Sequence, residues 1–161
     1  MFTGEHSQKL DDKGRLILPK QLRHPLSGED VEKGFYVTRG FEGSLLLRRR
    51  EEWEELAARV RALNPMVAAE RQFQRLFFSS SSPVKLDSQS RFIVPDGHQR
   101  IAKIKKEVLF VGVGDVIEIW AKEVYESYEG EVADEYGNLA QEIFTTRGNG
   151  VSEEGASSQG E

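Results

Sequence analysis

The chain contains no cysteine, which excludes disulfide cross-links and thiolate metal sites. Its three histidines, His6, His24 and His98, lack the spacing of a metal-ligand set. No apolar run approaches the roughly 18 residues that a membrane-spanning helix requires, and the N-terminus lacks the basic-then-apolar order of a signal peptide. The chain is therefore expected in the cytoplasm, away from membranes. Catalytic constellations are missing as well. Asp11-Asp12 sits in a turn-forming cluster beside Lys13, and Gly112-Val113-Gly114 lacks the rest of a dinucleotide fingerprint. No catalytic residue, metal ligand or cofactor is predicted.

Net positive charge is also lacking, since 22 basic residues face 27 acidic ones. That balance is uneven along the chain. Residues 123–161 hold ten acids and one arginine, so residues 1–122 sum to +4. A local basic surface is thus available despite the acidic total. The stretch from Arg147 to Glu161 is rich in Gly, Ser and Glu and nearly free of apolar side chains. It cannot offset its ordering entropy by burial, and is expected to be disordered.

What the chain does have is a word used twice. Lys9-Leu10-Asp11-Asp12-Lys13-Gly14-Arg15-Leu16-Ile17-Leu18-Pro19 returns at residues 85–95 as Lys-Leu-Asp-Ser-Gln-Ser-Arg-Phe-Ile-Val-Pro, with six of eleven positions identical. The echo continues. Phe35–Gly40 and Ser44–Arg48, followed by a charged run holding Trp53, correspond to Val108–Gly114 and Val116–Trp120, followed by a run holding Tyr125. An internal duplication accounts for this. Each half reads strand, turn, strand, short helix, strand, turn, strand, longer helix. A half of about 50 residues is too small to bury a comfortable core, so the copies are expected to pair.

Within the word, Asp11 to Gly14 form a turn cluster between two strands, and Gly14 supplies a positive φ at no steric cost. Pro19 suits the first turn of a helix that Pro25 ends. Ser90 stands where the first copy has its glycine. Between the halves, Trp53, Leu56, Ala57, Val60 and Leu63 mark one helix face, and Val67, Phe73, Leu76 and Phe77 mark a second helix after Asn64-Pro65. Ser79 to Ser82 and Pro83 read as a plain linker. Leu45, Leu47, Val116 and Trp120 give apolar strand faces that fill the core or meet a neighbouring subunit.

The Asp-x-x-x-Arg segments allow two readings. Asp11 and Asp87 suit an ion pair that closes a hairpin turn, the ribbon then packing on its twin. Arg15 and Arg91, held at hairpin tips, suit phosphate or the O6/N7 edge of guanine, which a planar guanidinium grips with two bonds. Residues 9–25 carry +3 and residues 85–101 carry +1, which favours the first copy as the polyanion surface.

Met1-Phe2-x-Gly4, Lys9-Leu10-Asp11-x-Lys13-Gly14-Arg15-x-x-x-Pro19 and the second Asp87-x-x-x-Arg91 together resemble the MraZ family of bacterial transcriptional regulators. The resemblance covers about residues 1–145, because the order of repeat, helical hairpin and repeat matches too. It implies an α+β fold: a duplicated swapped-hairpin (AbrB/SpoVT/MazE-like) β-barrel pseudo-dimer with a connecting helical hairpin. The implied segments are a first module at 5–51, the helical hairpin at 52–80, a second module at 81–124, and a C-terminal helix with a disordered tail at 125–161. It also implies binding to double-stranded DNA through Lys9, Lys13, Gly14, Arg15 and Arg91, with Asp11 and Asp87 as structural turn residues. The family's targets are direct repeats in the promoter of its own division and cell-wall gene cluster, where it acts as a repressor. The implied assembly is a ring-shaped homo-oligomer in the cytoplasm, associated with the nucleoid. Family members often carry a basic residue where Thr3 stands, so no phosphate contact is carried over from the extreme N-terminus. The residues themselves also admit an antitoxin-like interaction module, or a ring scaffold without DNA activity.

Overall fold

A computed structural model describes the backbone of residues 1–153 and the side chains of residues 1–147. Residues Met1–Tyr125 form one compact unit and Glu126–Glu161 another. In chain order the first copy supplies β1 (Glu5–Lys9), β2 (Arg15–Ile17), α1 (Lys20–Arg23), α2 (Gly28–Lys33), β3 (Phe35–Arg39) and β4 (Leu45–Arg49). The connection supplies α3 (Arg50–Arg61) and α4 (Ala68–Ser79). The second copy supplies β5 (Ser82–Val84), β6 (Arg91–Ile93), α5 (Asp96–Ile101), β7 (Glu107–Val113) and β8 (Val116–Ala121). Helix α6 (Lys122–Val132), a 3-10 turn and α7 (Tyr136–Glu153) follow.

The copies are interwoven strand by strand. A six-stranded antiparallel sheet runs β1-β7-β8-β4-β3-β5, and β2 pairs with β6 in a separate ribbon. Exchanging the copies reverses the large sheet onto itself, so the chain has an internal pseudo-two-fold axis. Each first strand has crossed over: β1 lies on β7 of the second copy, and β5 lies on β3 of the first. The expected closed hairpins are therefore corrected. Asp11 and Arg15 touch across the turn, but β1 and β2 pair with the other copy and not with each other. The reason is burial. Strands of three to five residues cannot sustain an isolated two-stranded hairpin, whereas exchange merges both halves into one core. A closed barrel is also not seen, because the ladder is open with β1 and β5 at its edges.

Period-two alternation places Phe35 and Val37 of β3, Leu45 and Leu47 of β4, Val108 and Phe110 of β7, and Ile117 and Ile119 of β8 in one core. Leu16 and Leu18 of the first word and Leu22 of α1 join Phe92 and Val94 of the second word in that core. Leu45, Leu47 and Trp120 are buried within the chain itself. Phe2 is 1% exposed and is pinned by reciprocal bonds with Gly114 (Phe2 N–H to Gly114 O, 2.7 Å; Gly114 N–H to Phe2 O, 2.9 Å).

A smaller cluster forms where α3 and α4 fold back on the sheet. Ala57, Val60 and Phe77 are buried there with Trp53, Leu56 and Leu63 around them, and Trp53 stacks on Tyr36 at 3.7 Å. The serine run is not a plain linker. Ser79 ends α4, Ser82 opens β5, and Ser80 is buried with its hydroxyl accepting the Arg39 N–H at 3.1 Å. Ser81 accepts the Trp53 indole N–H at 3.2 Å. Ser80 Oγ–H also donates to the Leu76 carbonyl at 2.7 Å, so these hydroxyls satisfy the end of α4, a strand N–H and an indole. Pro19 and Pro95 sit at the N-cap positions of α1 and α5, one residue before the first turn.

Two helical segments depart from the expected reading. Helix α2 begins with a reciprocal capping box in which Ser27 accepts from the Asp30 N–H and Asp30 accepts from the Ser27 N–H. Residues 147–153, expected to be disordered, continue α7. Once a helix is nucleated, each added residue costs far less than starting one. Residues 154–161, the rest of the expected disordered tail, lie outside the described residues.

Candidate nucleic-acid interface

The repeated words meet at the ribbon. Its register pairs Arg15 with Ile93, Leu16 with Phe92 and Ile17 with Arg91. Leu16 and Phe92 point inward and are buried, so alternation turns Arg15, Ile17, Arg91 and Ile93 outward. Sequence alone assigns the two arginines to separate tips of unequal rank. The structure brings both onto one face of one ribbon, with the two Asp turns at its opposite ends.

Each turn is held by its aspartate. Asp11 Oδ1 accepts the N–H groups of Lys13 (2.9 Å) and Arg15 (2.8 Å), and Oδ2 accepts Arg15 Nε–H at 2.7 Å. Asp87 does the same with Gln89 (2.8 Å), Arg91 (2.9 Å) and Arg91 Nε–H (2.8 Å). The fourth residue of the turn is left-handed in both copies, at φ 74° for Gly14 and 61° for Ser90. Leu18 N–H then bonds Ser90 O, and Val94 N–H bonds Gly14 O, tying each turn to the other copy. Because the aspartate binds Nε alone, the terminal nitrogens of each guanidinium remain available. Arg15 and Arg91 have no other partner among the described residues. A solvent-exposed pair of this kind adds little stability. Its effect is to fix where the guanidinium points.

The Arg15 N–H, above all, holds the Asp11 carboxyl below the usual carboxylate range, and the Arg91 N–H does so for Asp87. Since the folded values are lowered, this contribution is complete above the unfolded value of about 4 and is lost as pH falls through the folded value. A carboxylate titration by NMR should give both midpoints below that ordinary value. Midpoints at or above it would contradict the clip.

The departure at Ser90 has a partner. Arg23 Nη1–H donates to Ser90 Oγ at 2.7 Å, which occupies a basic group that sequence alone counts as free. At the equivalent place in the first copy, Gln99 lies against Gly14, where an added Cβ would meet its amide nitrogen at 3.0 Å. Lys9, Lys13 and Lys20 are exposed. A depression of about 490 Å³ beside the first turn is bounded by Asp11, Lys13, Gly14, Pro95 and Gln99. A second, sharing Asp96 and Gln99, continues to Arg100, Lys103 and Lys105. Lys106 adjoins the base of the turn, its carbonyl accepting the Leu10 N–H at 2.8 Å. These lysines escape a charge count of the second copy that stops at residue 101. The signal is present a few residues further on.

Among the described residues no cluster suited to a metal ion occurs, and no helix is long and apolar enough to cross a membrane. A family model described as "MraZ protein, putative antitoxin-like" matches residues 1–76 and again residues 77–145. The chain is 35% identical over 144 residues to a protein of Heliobacterium modesticaldum named transcriptional regulator MraZ, covering 89% of this chain and 97% of that one. Proteins of the same name from Moorella thermoacetica and Lactobacillus helveticus are each 36% identical over 143 residues, covering 89% of this chain and 96% of theirs. With two copies of the family's unit meeting in one ribbon, the chain belongs to the MraZ family.

Proposed function

We propose that the chain is a sequence-specific DNA-binding transcriptional regulator that reads promoter DNA with the β2–β6 ribbon. The observation that carries this reading is the shared face, where two arginines held by aspartates lie on one ribbon, with Lys13, Lys103 and Lys105 bounding depressions beside its first turn. A two-stranded ribbon fits the major groove, and an oriented guanidinium suits guanine O6/N7 or a phosphate. Arg15 and Arg91 are the reading groups, Lys9 and Lys13 meet the backbone, and Gly14 lets it come close. Asp11 and Asp87 shape the turns. The relatives' name, transcriptional regulator, supports the same role. The exchange of first strands supports reading each half as an AbrB-like swapped-hairpin module.

The target proposed is a set of direct repeats in the promoter of the protein's own division and cell-wall cluster, with repression as the outcome. One ribbon carries few charges and would bind weakly, with strong salt dependence. A ring-shaped homo-oligomer presents ribbons at fixed spacing, and linked contacts then multiply by effective concentration. Such a protein works in the cytoplasm at the nucleoid.

Binding to the chain's own upstream DNA and to scrambled DNA, measured across a salt series, tests this directly. Equal affinity for both would overturn specific recognition. Lys103→Glu with Lys105→Glu should weaken both DNAs alike and reduce the salt slope by about 1 for each phosphate no longer neutralised. Lys13→Glu should reduce binding more than Gln89→Glu, because only the first turn carries a cation there.

A further inference from the structure

The outer face of the β2–β6 ribbon holds more than its arginines. Ile17 is 44% exposed and Ile93 61% exposed, although both are large and apolar. Leu16 and Phe92 turn inward to the core, so the pleat itself sends their neighbours outward. Within the repeated word the buried positions differ between copies, Leu16 against Phe92 and Leu18 against Val94. The exposed isoleucine is the same in both. Strand propensity would be served as well by threonine or tyrosine, whose polar ends suit water. The apolar position that packing does not constrain is thus the one the copies share.

The ladder fixes how near each isoleucine lies to an arginine. Val94 N–H bonds Gly14 O, and Leu18 N–H bonds Ser90 O, which marks these as hydrogen-bonded pairs. By alternation, Arg15–Ile93 and Ile17–Arg91 are pairs of the non-hydrogen-bonded kind. Side chains of such pairs stand closest, with Cα atoms about 4.5 Å apart. The face is a two-by-two checkerboard in which each guanidinium is flanked by one isoleucine across the strand gap. Base pairs stack roughly 3.4 Å apart, so an arginine on guanine sets its isoleucine over the next step or the one after. The methyl group that a base edge presents in the major groove is the C5-methyl of thymine.

We propose that Ile17 and Ile93 read thymine. Ile93 closes on the C5-methyl of a thymine beside the guanine held by Arg15, and Ile17 does the same beside Arg91. This rests on the ribbon reading proposed above, and adds a second letter at each arginine.

Deoxyuracil tests it, because it pairs as thymine does and lacks only the methyl. The chain's own upstream DNA is prepared with single thymines replaced by deoxyuracil, and its binding is compared with that of the unmodified DNA. The unmodified chain should bind about fourfold less tightly for each contacted methyl removed, as expected when one such group leaves an apolar contact. Ile17→Ser with Ile93→Ser should bind both DNAs alike. Ile17→Val with Ile93→Val should restore the preference for thymine, since a branched apolar side chain returns. All these changes fall on exposed positions, and unchanged melting confirms that the variants fold. An unmodified chain that prefers its promoter to scrambled DNA, yet is indifferent to every methyl, would overturn the isoleucine contact and leave the ribbon reading standing. A thymine preference that survives in the serine variant belongs to the DNA's own shape, and would overturn it as well. An unmodified chain that binds promoter and scrambled DNA alike would remove both.

Discussion

Replacing Arg15 and Arg91 together by alanine is expected to abolish specific DNA binding while leaving the fold intact. Each arginine that reads a base edge should account for about 1–3 kcal/mol, or roughly 5- to 150-fold in affinity. The two share one face of one ribbon, so the double change removes both from the same interface. In an assembly that engages several ribbons at once, the effect compounds. Stability should hardly move, because each arginine is partly exposed and solvent screens its ion pair with Asp11 or Asp87. Leu16 and Phe92, which hold the ribbon to the core, are untouched. Titration of promoter DNA, with melting and light scattering as controls, reads the result. Unchanged affinity in a folded double variant would falsify the ribbon model.

The largest effect on stability is expected at the N-terminus. Phe2 is buried, packs in the main core and lies 4.9 Å from the Arg49 guanidinium. Phe2→Ala should cost about 3–5 kcal/mol. For a chain of this size each kcal/mol moves the melting temperature by about 2–4 °C, so a fall of roughly 6–20 °C is expected. Gly112→Ala should act through the same pocket. A Cβ there would lie 2.3 Å from the Thr3 nitrogen and 2.5 Å from the Phe2 carbonyl carbon. Both are backbone atoms that no side-chain rotation can move aside, so the first residues must leave. Gly112→Ala placed on top of Phe2→Ala should therefore add little, since the same packing is already gone. Full additivity of the two changes, or a parent-like melt for Gly112→Ala alone, would show that the N-terminal segment is not held this way.

The repeated word makes the duplication, the Asp-turn and the helical connection legible, because each has a local signature. What stays hidden depends on partners far away in sequence. The all-polar run Glu5–Lys9 carries no apolar alternation of its own, and nothing local tells that Glu5 will lie opposite Val111 and not opposite its own hairpin. Ser80 reads as linker until Arg39 supplies an N–H, 41 residues distant, for it to accept. Arg23 counts as a free cation until Ser90 takes it, across 67 residues. Two further features have local signatures of their own. The Ser27-Gly-Glu-Asp30 capping box and the lysines at 103, 105 and 106 lie in plain sequence.

In a homodimer of identical halves, the residues facing each other across the axis would have to appear twice. Fusing the halves lifts that restriction. Gly14 opposite Gln99 and Ser90 opposite Arg23 are a matched pair of local solutions that no symmetric assembly could encode. The ribbon therefore has a polarity: one end carries Lys13 and a glycine, the other Gln89 and a tethered serine. A symmetric reader is confined to palindromes, which look alike from either strand. A reader with distinguishable ends can tell one direction along the duplex from the other. It can then be laid down repeatedly in the same sense on sites that all point one way.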